Sequence, residues 1–417
     1  MTELSRDDAV ARDTADPLGH LPSQFVRDDP DLVYLDGNSL GMLPRRTRDR
    51  LADVVTREWG GEGVRGWHHW FDLPAQVGDR LGGGLLGAAA GQVLVTDSIT
   101  VNLFKLVTAA VTRDTSRTVI VSDARSFPTD RYVVEGIAAM TGASVRWIES
   151  DPIDGVSVDQ VQPVVDRDVA VVVLQHVDYR SGVIADVRRI NEVVHAAGAL
   201  TLWDLAHSVG AVPVELDAWR VDLAVGCTYK YLNAGPGAPG FLFVRRELQD
   251  QLSNPIRGWW AQPEPFDMDA PFAPAPDLSR FLTGTQSVLG MCAVDESAAM
   301  LVEVGVHALR RRSQQLVSYL AELSTARLQP LGFTLRSPTD PDRRGGHIVL
   351  AHPDAATIGA ALVEKANVVP DVRPPDLIRL SPAPSSSSFV EVWEGVDRIA
   401  ALVSSGGHRG TAVRRVT

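Results

Sequence analysis

The chain has 417 residues, 45% of them hydrophobic, and a mean hydropathy of −0.01, a length that calls for a large and a small domain with more than one core. A formal charge of −12 and a pI near 5.3 exclude nucleic acid and anionic membrane as main partners, since both need a basic face. The two cysteines, Cys227 and Cys292, stand far apart without metal-ligand spacing, which excludes a disulfide framework and a structural zinc site and points to a reducing, cytoplasmic compartment.

The first thirty residues are polar and acidic with no apolar core, so they read as a short helix and loop and not as a signal peptide; no run approaches membrane-spanning length. Val33 to Gly41, VYLDGNSLG, gathers Gly and Asn around a turn. A helix over Arg45 to Trp59 leads into GGEGVRGWHHWFDLP, read as a loop that presents aromatics. His68 and His69 are adjacent there, but no third ligand stands at helical or hairpin spacing. They read as solvated loop histidines, and no metal is expected. Glycines 82 to 84 read as a loop.

From Gln92 the pattern becomes strand then helix, VLVTDSIT into VNLFKLVTAAV. Ser98, Ile99 and Thr100 fall at the helix start, where unpaired amides and the positive dipole end favour a phosphate. A plain Ser/Thr N-cap accounts for the same residues. Lys105, inside that helix, reads as a surface residue. Val119 to Ser122, Ser144 to Ile148 and the almost continuously apolar Ala170 to Gln175 read as strands of a parallel sheet, with FPTD, Phe127 to Asp130, after the first. Val187 to Ala197 is the crossover helix.

Two further apolar runs end in charge: Ala199 to Trp203 in Asp204, and Leu223 to Thr228 in Tyr229 and Lys230. Open α/β sheets bind ligands outside the carboxyl ends of their strands, so these tips can converge on one small molecule. Of the 40 Lys plus Arg, only Lys105, Lys230 and Lys365 are lysines. A lysine at a strand tip, in a chain that otherwise uses Arg, suggests amine chemistry, because a Lys can lose its proton and form a Schiff base with a carbonyl. An Asp204–Lys230 salt bridge is the bland alternative. An aldehyde cofactor that wants a Lys, a partner for a pyridinium nitrogen, a phosphate site and an aromatic face is pyridoxal phosphate (PLP).

Beyond Lys230, GFLFVRREL is expected to close the sheet, and the Pro-rich Asn254 to Pro276 carries Trp259 and Trp260, read as exposed in a loop and suited to an interface. One long helix over roughly Met291 to Leu323 links to a second domain. That domain has a strand at His347 to Ala351, a helix at Thr357 to Asn367 with Lys365 at its exposed end, and a Pro-rich strand region. Arg379 sits in IRLSP, whereas Arg373, in a Pro-rich turn, reads as a rim residue. A final helix spans about Val390 to Val403, and the tail frays after Gly406.

Three motifs taken together, YLDGNSLG, DLAHS and CTYKYLNAGPG, resemble kynureninase, in the class-V group of fold-type-I PLP enzymes, and the resemblance runs from about Leu32 to Val396. It implies an α/β, PLP-dependent transferase fold of type I: a mostly parallel seven-stranded sheet with helices on both faces plus a smaller α/β domain. Residues 1–60 would form an arm and helix packing with the small domain, 61–295 the large PLP-binding domain, and 296–417 the small one. PLP would be attached to Lys230 and stacked on Phe127, with Asp204 on its ring nitrogen and Asp130 and Gln175 close by. His207 would bond Asp204 or the ring's polar edge. Ile99 and Thr100, with Tyr229, would hold the phosphate, and Tyr229 would also do acid/base work. Trp259 and Thr285 would complete the phosphate site from the second subunit of a homodimer with shared sites. Arg379 would bind the substrate carboxylate, with Trp67 and Asn38 contacting substrate. The run Ser385 to Ser388 departs from the more aromatic stretch expected there, which puts its packing in doubt. The implied reaction is hydrolysis of L-kynurenine to anthranilate and L-alanine, in tryptophan catabolism or NAD biosynthesis. 3-Hydroxykynurenine would be the poorer substrate, since Trp67 offers no partner for a buried hydroxyl. A cysteine desulfurase, an aminotransferase and a non-catalytic PLP-binding regulator are the rivals. Neither cysteine suits the first, and the last lacks a basic surface.

Overall fold

The computed structural model describes residues 4–267, 269 and 271–413. A helix at Arg6–Ala15 begins at Ser5, whose hydroxyl accepts from the Asp8 amide, and carries Asp7 and Asp8 in its first turn, both stabilising at a helix N-terminus. The chain then forms β1 (Val33–Tyr34) and a helix at Arg45–Asp53 that runs on as a wider π turn at Val54–Trp59. The expected aromatic loop is instead helical: short turns at Gly60–Glu62, Gly63–Gly66 and Trp67–Trp70 lead into the Leu73–Leu81 helix.

Seven strands form the main sheet: β2 (Val93–Val95), β3 (Val119–Asp123), β4 (Ser144–Ile148), β5 (Val169–Gln175), β6 (Leu200–Asp204), β7 (Leu223–Gly226) and β8 (Phe241–Val244). Their order is β2-β8-β7-β6-β5-β3-β4. The inner strands are apolar at nearly every position because helices cover both faces; apolar clusters centred on Trp203 and Phe243 on one side and on Leu202 and Leu242 on the other fill the two layers. One direction departs from expectation. β8 does not close the sheet; it runs antiparallel to both β2 and β7 and sits one place in, leaving β2 at the edge. The parallel strands β5, β6 and β7 keep their carboxyl ends together, which sets Gln175 level with Asp204 and Asp204 level with Val225.

The expected long linking helix is two helices, Val288–Val304 and Val306–Arg327, broken at Gly305, whose φ of 86° an L side chain would resist. The remaining strands are β9 (Thr334–Leu335), β10 (Ile348–Ala351), β11 (Val368–Val369), β12 (Asp371–Arg373) and β13 (Leu377–Leu380). A small antiparallel sheet has the order β12-β13-β10-β9, and β11 pairs in parallel with β1. Ala9, Val33 and Leu35 from the N-terminal arm share one core with Leu316, Ile348 and Val392, whereas Leu21, Phe25 and Val54 join the core of the large sheet.

Ser385, Ser386 and Ser387 are buried, and Ser388 caps the Phe389–Ser404 helix by accepting from the Glu391 amide at 3.0 Å. The serine run is thus a cap and its approach. The tail does not fray at Gly406. His408 and Thr411 are buried, and Lys365 donates to the Gly407 carbonyl and the Thr411 hydroxyl, each at 2.8 Å.

Candidate active site

Outside the ends of β5, β6 and β7 lies a cleft lined by Asp204, Lys230, Phe127 and Arg379. Lys230 reaches it from the turn after β7, its Nζ 3.2 Å from His207 Nε2 and 5.9 Å from the centre of the Phe127 ring. Burial lowers the pKa of Lys230 and pushes that of His207 well down, so the imidazole stays neutral and the amine loses its proton more readily than a free lysine. Of the two partners expected for His207, Asp204 is not one: the imidazole lies against Lys230 instead. Asp204, at the tip of β6, accepts from the Ala206 amide at 2.7 Å and has only a 3.4 Å contact from the Gln175 amide on its other oxygen. Burial raises the pKa of Asp204 and, more strongly, that of Asp130. The bland Asp204–Lys230 salt bridge does not form.

Phe127 leads into the Pro128–Thr141 helix and lines the cleft with Thr129 and Asp130, its ring edge-on to Tyr179 at 5.2 Å. At the opposite end Ser98 caps the Ile99–Arg113 helix through a 3.4 Å bond from the Val101 amide. Ile99 lines the cleft, while Thr100 is exposed at the helix start. Tyr229 is half-buried on the lining, and burial pushes its hydroxyl above the usual phenol range.

Arg379 on β13 is 1% exposed. It is held by Asp371, by the Tyr179 carbonyl at 2.5 Å and by Ser39 Oγ at 3.3 Å. With its side-chain oxygen and nitrogen exchanged, the Asn38 amide donates to Asp36 Oδ1 and accepts from Arg379 Nε, each at 3.2 Å. Arg373 is no rim residue: it stands on β12, half-buried, donates to Asp371 at 3.0 Å and lines the cleft beside Arg379. Sequence reasoning missed Asp36, whose pKa burial lifts to about 6, together with Ser39, Tyr179 and Asp371. Asp36 and Ser39 were in view within YLDGNSLG. Asp371 needed the β12–β13 register, which sets it opposite Arg379.

Three expected residues lie away from their own chain's cleft. Trp67 packs against Trp70 and Trp260, with ring centres 5.6 and 5.2 Å apart, and Trp259 packs on Trp260 at 4.6 Å. Trp260 is buried and Trp259 half-buried, so the pair is not the exposed patch its Pro-rich surroundings suggest. Thr285 is exposed on the segment after Phe281. The structure does bring a third potential ligand to the paired histidines, Glu62, with donor atoms all within 4.8 Å. His68 Nδ1 is, however, taken up by the Arg65 carbonyl at 2.5 Å, and Glu62 lies 3.2 Å from His69. The cluster is satisfied as hydrogen bonds.

Comparison with known proteins now bears on this geometry. Residues 309–399 match the kynureninase C-terminal domain model. The kynureninase of Burkholderia pseudomallei (strain 1106a) is 38% identical over 409 residues, covering 96% of both chains. The chain belongs to the kynureninase family. The kynureninase of Pseudomonas fluorescens is 36% identical and covers 96% of this chain and 95% of its own. The fold is shared with the cystine C-S lyase C-DES, solved with glycine covalently linked to its PLP cofactor: 17% identity, a TM-score of 0.79, and 89% and 97% of the two chains covered.

PLP is the cofactor of kynureninases, and these residues fit it. A carboxylate buried to 4% with one oxygen poorly satisfied, as in Asp204, is costly alone and suits a protonated ring nitrogen. Lys230 supplies the amine, Phe127 a ring face, and the Ile99–Arg113 helix start an anion site.

Proposed function

We propose that this cleft holds PLP on Lys230 and that the enzyme hydrolyses the Cβ–Cγ bond of L-kynurenine to give anthranilate and L-alanine. The observation that carries the reading is the meeting of Lys230, Asp204 and Arg379 in one cleft of a chain 38% identical to a kynureninase along nearly its whole length. When bound, PLP supplies an electron-accepting ring conjugated to the substrate nitrogen. Lys230, with its pKa lowered by burial, takes the proton from the substrate Cα and returns it. Asp204 keeps a proton on the ring nitrogen. Tyr229, held neutral because burial raises its pKa, donates toward the substrate side chain, and His207 orients the Lys230 amine.

Release of fluorescent anthranilate from kynurenine tests the reaction; sulfide from cysteine or amino transfer without anthranilate would sink it. The desulfurase rival is further weakened by Cys227 and Cys292, each only 2% exposed. A large PLP-binding domain over 61–295 and a small one over 296–417 is the division this reading uses, with residues 1–60 shared between them: Ala9, Val33 and Leu35 pack on the small domain, and Leu21, Phe25 and Val54 on the large one. No helix among the described residues is long and apolar enough to cross a membrane, and two unpaired buried cysteines favour a cytoplasmic enzyme.

Arg379 forks onto the substrate's α-carboxylate in this reading, a contact worth about 1.5–3 kcal/mol. Arg379→Lys should raise the KM for kynurenine by roughly tenfold or more, because a point charge loses the fork. An unchanged KM, with Arg373→Lys raising it instead, would transfer the role to Arg373.

The enzyme is a homodimer with shared sites. Trp259 and Thr285 do not line their own chain's cleft, so they serve the second subunit. Mixing Lys230→Ala with a Trp259→Ala/Thr285→Ala variant should restore activity through hybrid sites, whereas an active monomer in sedimentation would refute sharing. Trp67 reaches a ring site only by the same route. On that basis kynurenine outperforms 3-hydroxykynurenine by about tenfold in kcat/KM, and equal efficiencies would remove Trp67 from the substrate site.

A further inference from the structure

Lys105 is a buried lysine that the mechanism leaves unused. Expected at the surface, it is 0% exposed. Side chains on a helix lean toward its N-terminus, and that of Lys105 runs back along the Ile99–Arg113 helix to pair with Asp97 and to donate to the Phe281 carbonyl at 2.6 Å.

Asp97 sits one residue before the Ser98 cap, in a left-handed conformation with φ 43° that turns the chain from β2 into the helix. Its backbone carbonyl accepts from the Gly240 amide at 2.6 Å. Its carboxylate is 24% exposed and also meets Thr283 Oγ1 at 3.3 Å. Thr283 in turn carries the tryptophan turn: its carbonyl accepts from the Trp260 amide at 3.2 Å, and a Cβ on Gly258 would lie 2.0 Å from that oxygen. Beside it, Gln286 Oε1 accepts from Thr96 Oγ1 at 3.1 Å. One ion pair thus joins the helix start to the segments that bear Trp259 and Thr285.

We propose that Lys105 is a positioning residue for the phosphate end of the cofactor. It cancels the Asp97 charge next to the anion-binding helix start, and it fixes the platform that presents Trp259 and Thr285. The inference rests on the reading of the cleft as a PLP site. Without Lys105 an unneutralised carboxylate would stand beside the helix start, where negative charge competes directly with a phosphate dianion.

The test is titration of apo-protein with PLP, followed by fluorescence, alongside steady-state kinetics at saturating PLP. Lys105→Met should weaken PLP binding by about tenfold or more and speed its release, while the KM for kynurenine stays within about twofold. Lys105→Met/Asp97→Asn, which removes both charges, should recover most of the affinity. Thr283→Val, at a half-buried position, should weaken PLP binding in the same direction by a smaller factor. If Lys105→Met fails to fold, the double variant and Thr283→Val decide. Wild-type PLP affinity in folded Lys105→Met, no recovery in the double variant, or an unaltered Thr283→Val would each overturn the inference alone. A wild-type chain that took up no PLP would overturn the cofactor reading as well.

Discussion

Replacing Lys230 by alanine abolishes anthranilate release and leaves no cofactor attached to the chain after borohydride reduction. Loss of the proton-transferring amine alone is worth roughly 10²- to 10⁴-fold in rate, and loss of the attachment point adds to it. The other two lysines cannot substitute. Lys105 is sealed between Asp97 and the Phe281 carbonyl, and Lys365 is spent on Gly407 and Thr411 at the far end of the small sheet's helix. Peptide mapping of the reduced wild-type protein should find the adduct on Lys230, and an adduct on Lys105 or Lys365 would refute the assignment.

Asp204→Asn retains PLP and loses turnover by roughly ten- to a thousandfold, the rate equivalent of the one to three pKa units that a close carboxylate imparts to a cation. The effect follows from burial. Asp204 has a raised pKa because it is desolvated, and a cation placed against it favours its charged form. Asp130 is the internal control: it lies in the same cleft, and its pKa is likewise raised by burial, with repulsion from Asp204 adding to the rise. Asp130→Asn should therefore cost less. Near-wild-type turnover in Asp204→Asn with a large loss in Asp130→Asn would exchange the two roles.

The sheet and the centre of the site were legible because their signal is local. Apolar runs such as Ala199 to Trp203 stop at charged tips, and a parallel sheet brings such tips together whatever the connections do. What stayed hidden is non-local. Lys105 interrupts a buried helix, and nothing at helical spacing reveals that Asp97, eight residues back in a left-handed turn, will meet it. Phe241 to Val244 is apolar in either direction, so its pattern could not tell an antiparallel inner strand from a closing edge. Trp259 and Trp260 sit among prolines, which fixes the loop but not the face it packs on; burial against Trp67 comes from a segment nearly two hundred residues earlier. Arg373 reads as part of a turn, and Asp371 goes unnoticed, until the β12–β13 hairpin sets Asp371 opposite Arg379.

The contacts of Arg379 also bear on the order in which the enzyme can be made. Arg379 meets Ser39 across 340 positions and Tyr179 across 200, so these partners leave the ribosome far apart in time. At about 5–20 residues per second, the span from Ser39 to Arg379 takes roughly 20 to 70 seconds to synthesise. In the last part of that interval, once Asp204 and Lys230 have been made, the nascent chain can present them while β13, which carries Arg379, is still missing. Contacts of such separation slow folding and leave surface exposed meanwhile. A polypeptide halted before Leu377 would therefore carry Lys230 without Arg379, and on the proposed role of Arg379 competence for substrate would arrive only with the last tenth of translation.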